Sequence, residues 1–157
     1  MDPGEPTVLF RGLPQQLRFP TEEKRALRDF AHNLCERVAA GRGFTCLVTN
    51  DGELRNLNQR FRGLDYVSDV LSFPSEQDRE LGDIAISAEQ ARAQAQQFGH
   101  SYSDEVRVLM LHGLLHLTGM DHERDRGQMA HAEAKWRAEF GLPSGVIGRA
   151  ASAGGHE

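Results

Sequence analysis

The segment from residue 103 to about residue 117 constrains the fold most, because apolar side chains occupy nearly every face of the helix that it predicts. Ser103 is the predicted start of this helix. Asp104 and Glu105 lie in its first turn, where the positive end of the helix dipole stabilises negative charge. A helix that is apolar nearly all round has to be buried. The other elements of the chain must therefore pack around it. Its apolar residues are Val106, Val108, Leu109, Met110, Leu111, Leu114, Leu115 and Leu117.

The segments around this helix predict an α+β domain, with a small, mostly four-stranded mixed sheet packed against about five helices. Thr21 is a plausible N-cap for the first helix and Gly41 a plausible stop. The predicted strands are residues 8–10, 44–49, 69–73 and 81–87, and the other predicted helices are residues 53–62, 88–98 and roughly 125–140. We expect one domain over residues 1–143 and a flexible tail over residues 144–157, which is mostly Gly, Ala and Ser.

Composition excludes several classes of protein. The chain has 157 residues, a hydrophobic fraction of 39% and a net charge of −5, which rules out a wholly disordered chain. No apolar run approaches the roughly 20 residues of a membrane helix, and the N-terminus lacks a secretory signal. We therefore expect a cytoplasmic protein that does not contact a membrane. Cys35 and Cys46 fall in predicted buried elements, so we interpret them as core residues.

Charge is distributed unevenly along the chain. Residues 1–62 contain 10 Lys and Arg against 8 Asp and Glu, a net charge of +2. Residues 63–157 contain 8 against 15, a net charge of −7. The acidic total does not fit a protein that coats nucleic acid through its overall charge. A surface that binds phosphate would therefore be local, and we expect the first half of the chain to supply it.

Three histidines predict a metal site on the buried helix. His112 and His116 are four residues apart, so both imidazoles project from one helix face. Gly119 can adopt a positive φ and so turn the chain back, which would bring His122 beside them. Three histidines without an obvious fourth ligand leave an open coordination position, as in catalytic zinc sites. Such sites also take nickel or copper.

The alternative is that these histidines are ordinary core or surface residues. Two imidazoles buried without partners would each carry a desolvation penalty of a few kcal/mol, and a shared metal removes that penalty. This consideration favours the metal site. We interpret the remaining histidines as surface residues: His32, His100, His131 and His156.

The histidine spacing is also that of the metzincin proteases, in which a glutamate after the first histidine acts as the general base. In this chain Gly113 occupies that position, and glycine cannot accept a proton. Peptidase activity by that mechanism is therefore not expected. The discriminating residue between the two chemistries is Gly113.

The stretch HGLLHLTGMDH, which starts at His112, resembles the signature of the YbeY family of bacterial metal-dependent endoribonucleases of ribosomal RNA maturation. Three upstream blocks agree in order and spacing: Asn58–Gly63, Ser68–Pro74 and Leu81–Ile84. The resemblance spans about residues 50–125. Two departures are visible, Met120 where the family commonly has Tyr and Ser68 where it commonly has Thr, and neither is a ligand position.

This resemblance implies that His112, His116 and His122 bind one Zn²⁺ ion per chain and that Arg62 is the catalytically important arginine near the metal. It also implies a single-strand-specific endoribonuclease that acts in 16S rRNA 3′ end maturation, rRNA processing and ribosome quality control. The implied partners are ribosomal RNA and the small ribosomal subunit, with ribosomal proteins or an assembly GTPase as further candidates. The attacking nucleophile, a metal-activated water or a ribose 2′-hydroxyl, stays open.

Several roles have a simpler alternative. Arg62 also suits the last turn of a helix, where a cation favours the dipole. Asp121 and Glu123 could support the metal ligands or form a solvated turn, and Asp69 and Asp83 could be turn or site residues.

Two other functions compete with the nuclease. One is a ribosome-assembly factor whose zinc is structural, and the other is a metal-dependent hydrolase of metzincin-like geometry. The open three-histidine site argues against the first, and the absence of a base at Gly113 argues against the second.

Overall fold

The computed structural model describes residues 4–77 and 80–143. It contains five helices and a four-stranded mixed sheet, as predicted. The predicted tail, residues 144–157, lies outside the described residues. Within residues 4–77 and 80–143, no helix has the length and apolar character that a membrane span requires. The elements in chain order are β1 (Thr7–Phe10), a 3₁₀ turn (Gln15–Leu17), α1 (Thr21–Arg37), β2 (Gly43–Thr49), α2 (Asp51–Arg62), β3 (Val70–Pro74), β4 (Glu80–Ser87), α3 (Ala88–Phe98), α4 (Tyr102–Leu117) and α5 (Gln128–Glu139).

The sheet has the strand order β1-β2-β4-β3. The strands β1, β2 and β4 are parallel, and β3 pairs antiparallel with β4, with Ser72 opposite Ile84 and Leu71 opposite Ala85. Side chains alternate between the two faces of a strand. Ile84 and Ser72 therefore belong to one face of the sheet, and Ala85 and Leu71 belong to the other. The strand β3 forms one edge of this sheet.

The helix α4 is buried against the first of these faces. Eleven of its sixteen residues are buried, as its apolar sequence predicts. It shares a hydrophobic core with α1, α3, α5 and that face of the sheet. Burial of each large apolar side chain contributes about 1.5–3 kcal/mol, so this layer supplies most of the driving force for folding.

The opposite face of the sheet is covered by α2. Leu54 packs with Leu71 and Ala85 in a second, smaller apolar cluster, which Leu57 and Phe73 border. The edge strand β3 is therefore held between α2 on one side and α4 on the other. This arrangement places the end of α2 and the histidine helix on opposite sides of the same strand.

Four helix starts differ from the prediction, and one of them is that of α5, which begins at Gln128 and not near residue 125. Thr21 is the first residue of α1 and not its cap, because Pro20 occupies the cap position without a side-chain bond. Asn50 caps α2 through its side chain, so this helix begins at Asp51, two residues before the predicted start at residue 53. The cap of α4 is Ser101, two residues before the predicted start at Ser103.

Two element ends also differ. The helix α1 ends at Arg37 and not near Gly41, although Gly41 does take a positive φ of 82° just beyond it. The strand β3 extends to Pro74, one residue beyond its predicted end at residue 73. Proline is tolerated there because β3 is an edge strand, where a missing backbone N–H need not remove a ladder hydrogen bond.

Candidate metal centre

The three predicted histidines converge at the end of α4. The ring centroids of His112 and His116 are 4.9 Å apart, and that of His122 is 5.7 Å from each of them. One ligand nitrogen from each ring lies within 4.8 Å of the other two. Zinc–imidazole bonds are about 2.0–2.1 Å long, so small side-chain rotations bring all three nitrogens onto one ion.

The bend that returns His122 follows the mechanism predicted for it. Gly119 has a φ of 101°, a conformation that favours glycine. Its backbone N–H donates to the carbonyl of His116 at 3.0 Å, and that of Met120 donates to Leu115 at 3.2 Å. These bonds end the helix abruptly and direct the chain back toward its own last turn.

The two histidines of the cluster that lie on α4 are each held by a hydrogen bond from their Nδ1. The His112 Nδ1 donates to the Glu133 carboxylate at 2.8 Å, and the His116 Nδ1 donates to the Met120 carbonyl at 3.0 Å. Because Nδ1 is engaged, Nε2 is the nitrogen left to bind a metal. The contact to His116 uses only the backbone of Met120, so it does not depend on the side chain at that position.

Glu133 is the functional residue that sequence reasoning missed. It lies on α5, and both it and His112 are buried, with relative exposures of 2% and 6%. Helical periodicity could have indicated it, because Glu133 lies four residues after the buried Met129 and therefore on the core side of α5. A carboxylate on the core side of a helix requires a partner.

The surroundings of His116 favour its neutral form. Burial lowers the pKa of His116, and the neighbouring His112 and His122 lower it further. Bonds to Met120 and the charge of Asp121 oppose this effect. A metal binds the neutral ring, so a depressed pKa keeps the site ready for metal at lower pH. The donor set therefore fits a single divalent ion with nitrogen preference.

The acids beside His122 belong to the turn. Asp121 accepts a hydrogen bond from the Glu123 backbone at 3.1 Å, and its carboxylate lies 3.5 Å from the Arg124 guanidinium. The Glu123 side chain is exposed. The contacts of Glu123 therefore lie within the turn, whereas the charge of Asp121 also acts on the pKa of His116.

Arg62 is the last residue of α2, and its side chain is exposed. Within the part of the chain that the structure describes, it makes no hydrogen bond, ion pair or ring contact, and the helix that it ends covers the face of the sheet opposite to α4. The structure therefore does not place Arg62 in contact with the histidine rings. Asp69 accepts a hydrogen bond from Gln94 at 3.0 Å, and Asp83 lies on the α2 side of β4, where burial raises its pKa.

Gly113 faces the sheet and not the metal cluster. A Cβ at this position would lie 2.8 Å from the Ile84 Cγ2 and 3.2 Å from the Ser72 Oγ. The Ser72 hydroxyl also donates to the Gly113 carbonyl at 3.0 Å. A glutamate does not fit here, so the difference from the metzincins has a packing reason as well as a chemical consequence.

His100 corrects one expectation. It was predicted to be a surface residue, but its side chain is only 10% exposed and its Nε2 lies 2.5 Å from the Glu105 carboxylate. The reason is that Glu105 sits in the first turn of the buried helix α4 and is itself fully buried. His32 and His131 are exposed as predicted, and His156 lies outside the described residues.

The protein is an α+β domain in which three imidazoles, grouped at the end of a buried helix, could hold a metal ion. In residues 4–77 and 80–143, no fourth His, Cys, Asp or Glu joins this group, and a set of three protein ligands is typical of catalytic zinc sites.

Comparison with known proteins identifies the family. A family model described as Endoribonuclease YbeY matches residues 15–141. The chain is 52% identical to the Endoribonuclease YbeY of Solibacter usitatus over 96% of its own length and 98% of the relative. It is 53% identical to that of Koribacter versatilis over 72% of its own length and 76% of the relative. The chain belongs to the YbeY family, and this supports an endoribonuclease role.

A solved structure agrees with the fold. The solution structure of TM1509 from Thermotoga maritima superposes with a TM-score of 0.56 at 25% identity. The match covers 86% of this chain and 91% of that protein.

Proposed function

We propose that this protein is a zinc-dependent endoribonuclease that cuts single-stranded segments of ribosomal RNA in the cytoplasm. Its proposed roles are 16S rRNA 3′ end maturation, rRNA processing and ribosome quality control. The observation that carries the proposal is the group of three imidazole nitrogens within 4.8 Å, two of them on rings oriented by hydrogen bonds. The family to which the chain belongs supports the same enzymatic class.

The residues that would hold the metal are His112, His116 and His122. A bound Zn²⁺ ion supplies a Lewis acid that polarises a phosphoryl oxygen and promotes attack on phosphorus. Glu133 holds the His112 ring, and the Met120 carbonyl holds the His116 ring, so both are oriented before a metal arrives. This preorganisation reduces the penalty of ordering the ligands when the ion binds.

Arg62 is proposed to stabilise the negative charge that develops on the phosphoryl oxygens. Its planar guanidinium can donate two parallel hydrogen bonds to a phosphate. Its exposure leaves it free to contact a substrate, because no acidic side chain pairs with it in the described part of the chain. The end of α2 reaches the same edge strand that packs on α4, so an RNA strand crossing that edge can meet both groups.

The net charge of −5 makes a prediction about this activity. An acidic protein binds free RNA weakly, and cleavage of free RNA should be slow and strongly dependent on salt. Positioning on the small ribosomal subunit, through ribosomal proteins or an assembly GTPase, would compensate for weak binding.

The test is cleavage of an RNA with a single-stranded 3′ tail by the wild-type protein and by Arg62→Ala. The control is Arg25→Ala, which removes the same charge from an exposed position on α1. Metal content is measured for all three proteins, and neither variant touches a histidine. We expect the wild type and the Arg25 variant to cleave and the Arg62 variant to be strongly impaired.

Two outcomes contradict the proposal. Equal cleavage by all three proteins would mean that Arg62 is only a cation at a helix end. No cleavage by zinc-loaded wild type, on free RNA or on small ribosomal subunits, would favour an assembly factor with a structural zinc.

A further inference from the structure

The end of α2 and the loop after it expose an unusual concentration of aromatic surface. Five large hydrophobic side chains are exposed in the described residues, and three of them fall within seven positions of the chain. These are Phe61, Tyr66 and Val67, with relative exposures of 61%, 51% and 36%. We name the surface formed by Arg60, Phe61, Arg62, Tyr66 and Val67 the α2-end patch. A grouped apolar surface indicates a binding site more strongly than scattered residues do.

The α2-end patch is also positively charged. The Arg60 guanidinium lies 5.3 Å from the centre of the Phe61 ring. Neither Arg60 nor Arg62 forms an ion pair within the described ranges, while the nearby Asp65 is engaged by Arg55 at 2.7 Å. The chain has a net charge of −5, but here two arginines without acidic partners flank the exposed Phe61 in the sequence, and one of them lies over its ring. This combination favours a ligand that carries both negative charges and aromatic faces.

The loop that carries Tyr66 is fixed in place. Gly63 ends α2 with a φ of 69°, and the buried Asn58 donates from its Nδ2 to the Tyr66 carbonyl at 3.1 Å. The Arg55–Asp65 pair holds the same loop from outside. An ordered loop lowers the entropy that is lost when a ligand binds.

The patch is connected to the metal centre through β3. The Phe61 ring lies 5.4 Å from the Phe73 ring, on the α2 side of that strand. The preceding residue of β3, Ser72, faces α4. Its hydroxyl donates to the carbonyl of Gly113, which directly follows His112 in the sequence. Because β3 is the edge of the sheet, a flexible chain can pass around it from the patch to the histidines.

We propose that Phe61 and Tyr66 form a stacking platform for unpaired bases of the RNA substrate, with Arg60 beside its phosphates. The proposal rests on the proposed nuclease function and adds a physical reason for single-strand preference. Every base presents a π-face to an aromatic ring, so stacking tolerates any sequence, but bases in a duplex are already stacked on each other. The platform therefore selects unpaired RNA without reading its sequence.

The experiment measures binding and not cleavage. A single-stranded 2′-O-methyl oligonucleotide carrying 2-aminopurine is titrated with the zinc-loaded protein, and its integrity is checked on a gel. The variants are Phe61→Leu, which keeps an apolar contact to Phe73 without a π-face, and Phe61→Trp, which keeps the π-face. The control is Phe98→Ala. Phe98 is 41% exposed and lies at the end of α3, close to the start of α4. The start of α4 is about 15 Å from His112 along the helix axis.

We expect Phe61→Leu to weaken binding about 5- to 150-fold and to reduce the change in 2-aminopurine emission. The Phe61→Trp variant should bind within about threefold of wild type, and the Phe98→Ala variant should bind like wild type. Duplex RNA should bind weakly to all four proteins. Thermal unfolding of each variant verifies that the fold is intact.

Three results would overturn the platform. The first is equal affinity of wild type and Phe61→Leu for the single strand. The second is equal loss in the Leu and Trp variants, which would indicate packing and not stacking. The third is a change in the sedimentation of Phe61→Leu without a change in RNA affinity, which would identify a protein interface.

Failure of the platform and failure of the nuclease function are distinguishable. Stacking without any RNA cleavage by the wild type would keep the platform and remove the enzyme. Cleavage by a wild type whose RNA affinity does not depend on Phe61 would keep the enzyme and remove the platform.

Discussion

Replacement of Glu133 tests whether the metal centre depends on a residue from α5. The Glu133→Ala change removes the acceptor that lies 2.8 Å from the His112 Nδ1. Both residues are buried, so bulk water does not replace the lost acceptor. We therefore expect the metal to bind more weakly although all three ligands remain.

The size of the effect follows from the burial of the pair. A buried donor left without a partner costs about 1–3 kcal/mol. Loss of a carboxylate that orients a histidine ligand typically lowers metal affinity by about 10- to 100-fold, which corresponds to roughly 1.4–2.8 kcal/mol. The Glu133→Gln change keeps an oxygen acceptor of similar shape, so its effect should be smaller than that of Glu133→Ala.

The assay is a competitive titration of Zn²⁺ between the protein and a chromophoric chelator. The matched control is Glu139→Ala on the same helix, since Glu139 pairs with Arg37 at 3.2 Å on the surface. Exposed pairs of this kind contribute only about 0–1 kcal/mol and do not touch the site. The expected order of zinc affinity is wild type and Glu139→Ala, then Glu133→Gln, then Glu133→Ala.

One result would refute this reasoning. If folded Glu133→Ala binds zinc within twofold of wild type, the hydrogen bond to His112 does not orient a ligand. Circular dichroism on the same samples verifies folding.

Four further predictions concern stability and the reactivity of a buried thiol. Gly113→Ala should lower the melting temperature, because the added Cβ would lie 2.8 Å from the Ile84 side chain of the sheet. Such overpacking costs about 1–3 kcal/mol of stability, which exceeds the roughly 1 kcal/mol that the higher helix propensity of alanine contributes. Gly52→Ala should raise the melting temperature, because a Cβ there would meet only the Asn50 Oδ1, at an ordinary contact distance of 3.4 Å. His100→Ala should lower the urea midpoint by the equivalent of about 1–3 kcal/mol, since the buried Glu105 loses its ring partner; an unchanged midpoint would contradict this. Burial raises the pKa of Cys46 to about 12 from 9.0, so its thiol should resist iodoacetamide in the folded protein, and rapid alkylation without unfolding would be evidence against this. The free energy of unfolding should also fall as the pH rises above 9.0, because only the thiol of the unfolded chain ionises there.

The grouping of the three histidines could be predicted because its geometry is local. A spacing of four residues puts His112 and His116 on one helix face whatever surrounds the helix. The bend at Gly119 depends on the backbone freedom of a single residue, and its φ of 101° matches that expectation. The burial of α4 was likewise decided by its own composition.

The partners of these residues could not be predicted in the same way. Glu133 is 21 positions from His112, and their contact depends on how α5 packs against α4. The burial of His100 depends on the depth of Glu105 in the core. The contact between position 113 and β3 depends on the layering of the sheet.

For this protein, the sequence by itself predicted most of the elements, the buried central helix and the grouping of the three histidines. Only the tertiary structure decided what orients two of those histidines, why position 113 is a glycine and that α2, which ends at Arg62, covers the face of the sheet opposite to α4. The physical reason is that backbone periodicity and turn conformation act over a few residues. Hydrogen bonds and packing between elements distant along the chain depend on how the elements are arranged in space, which no single segment encodes.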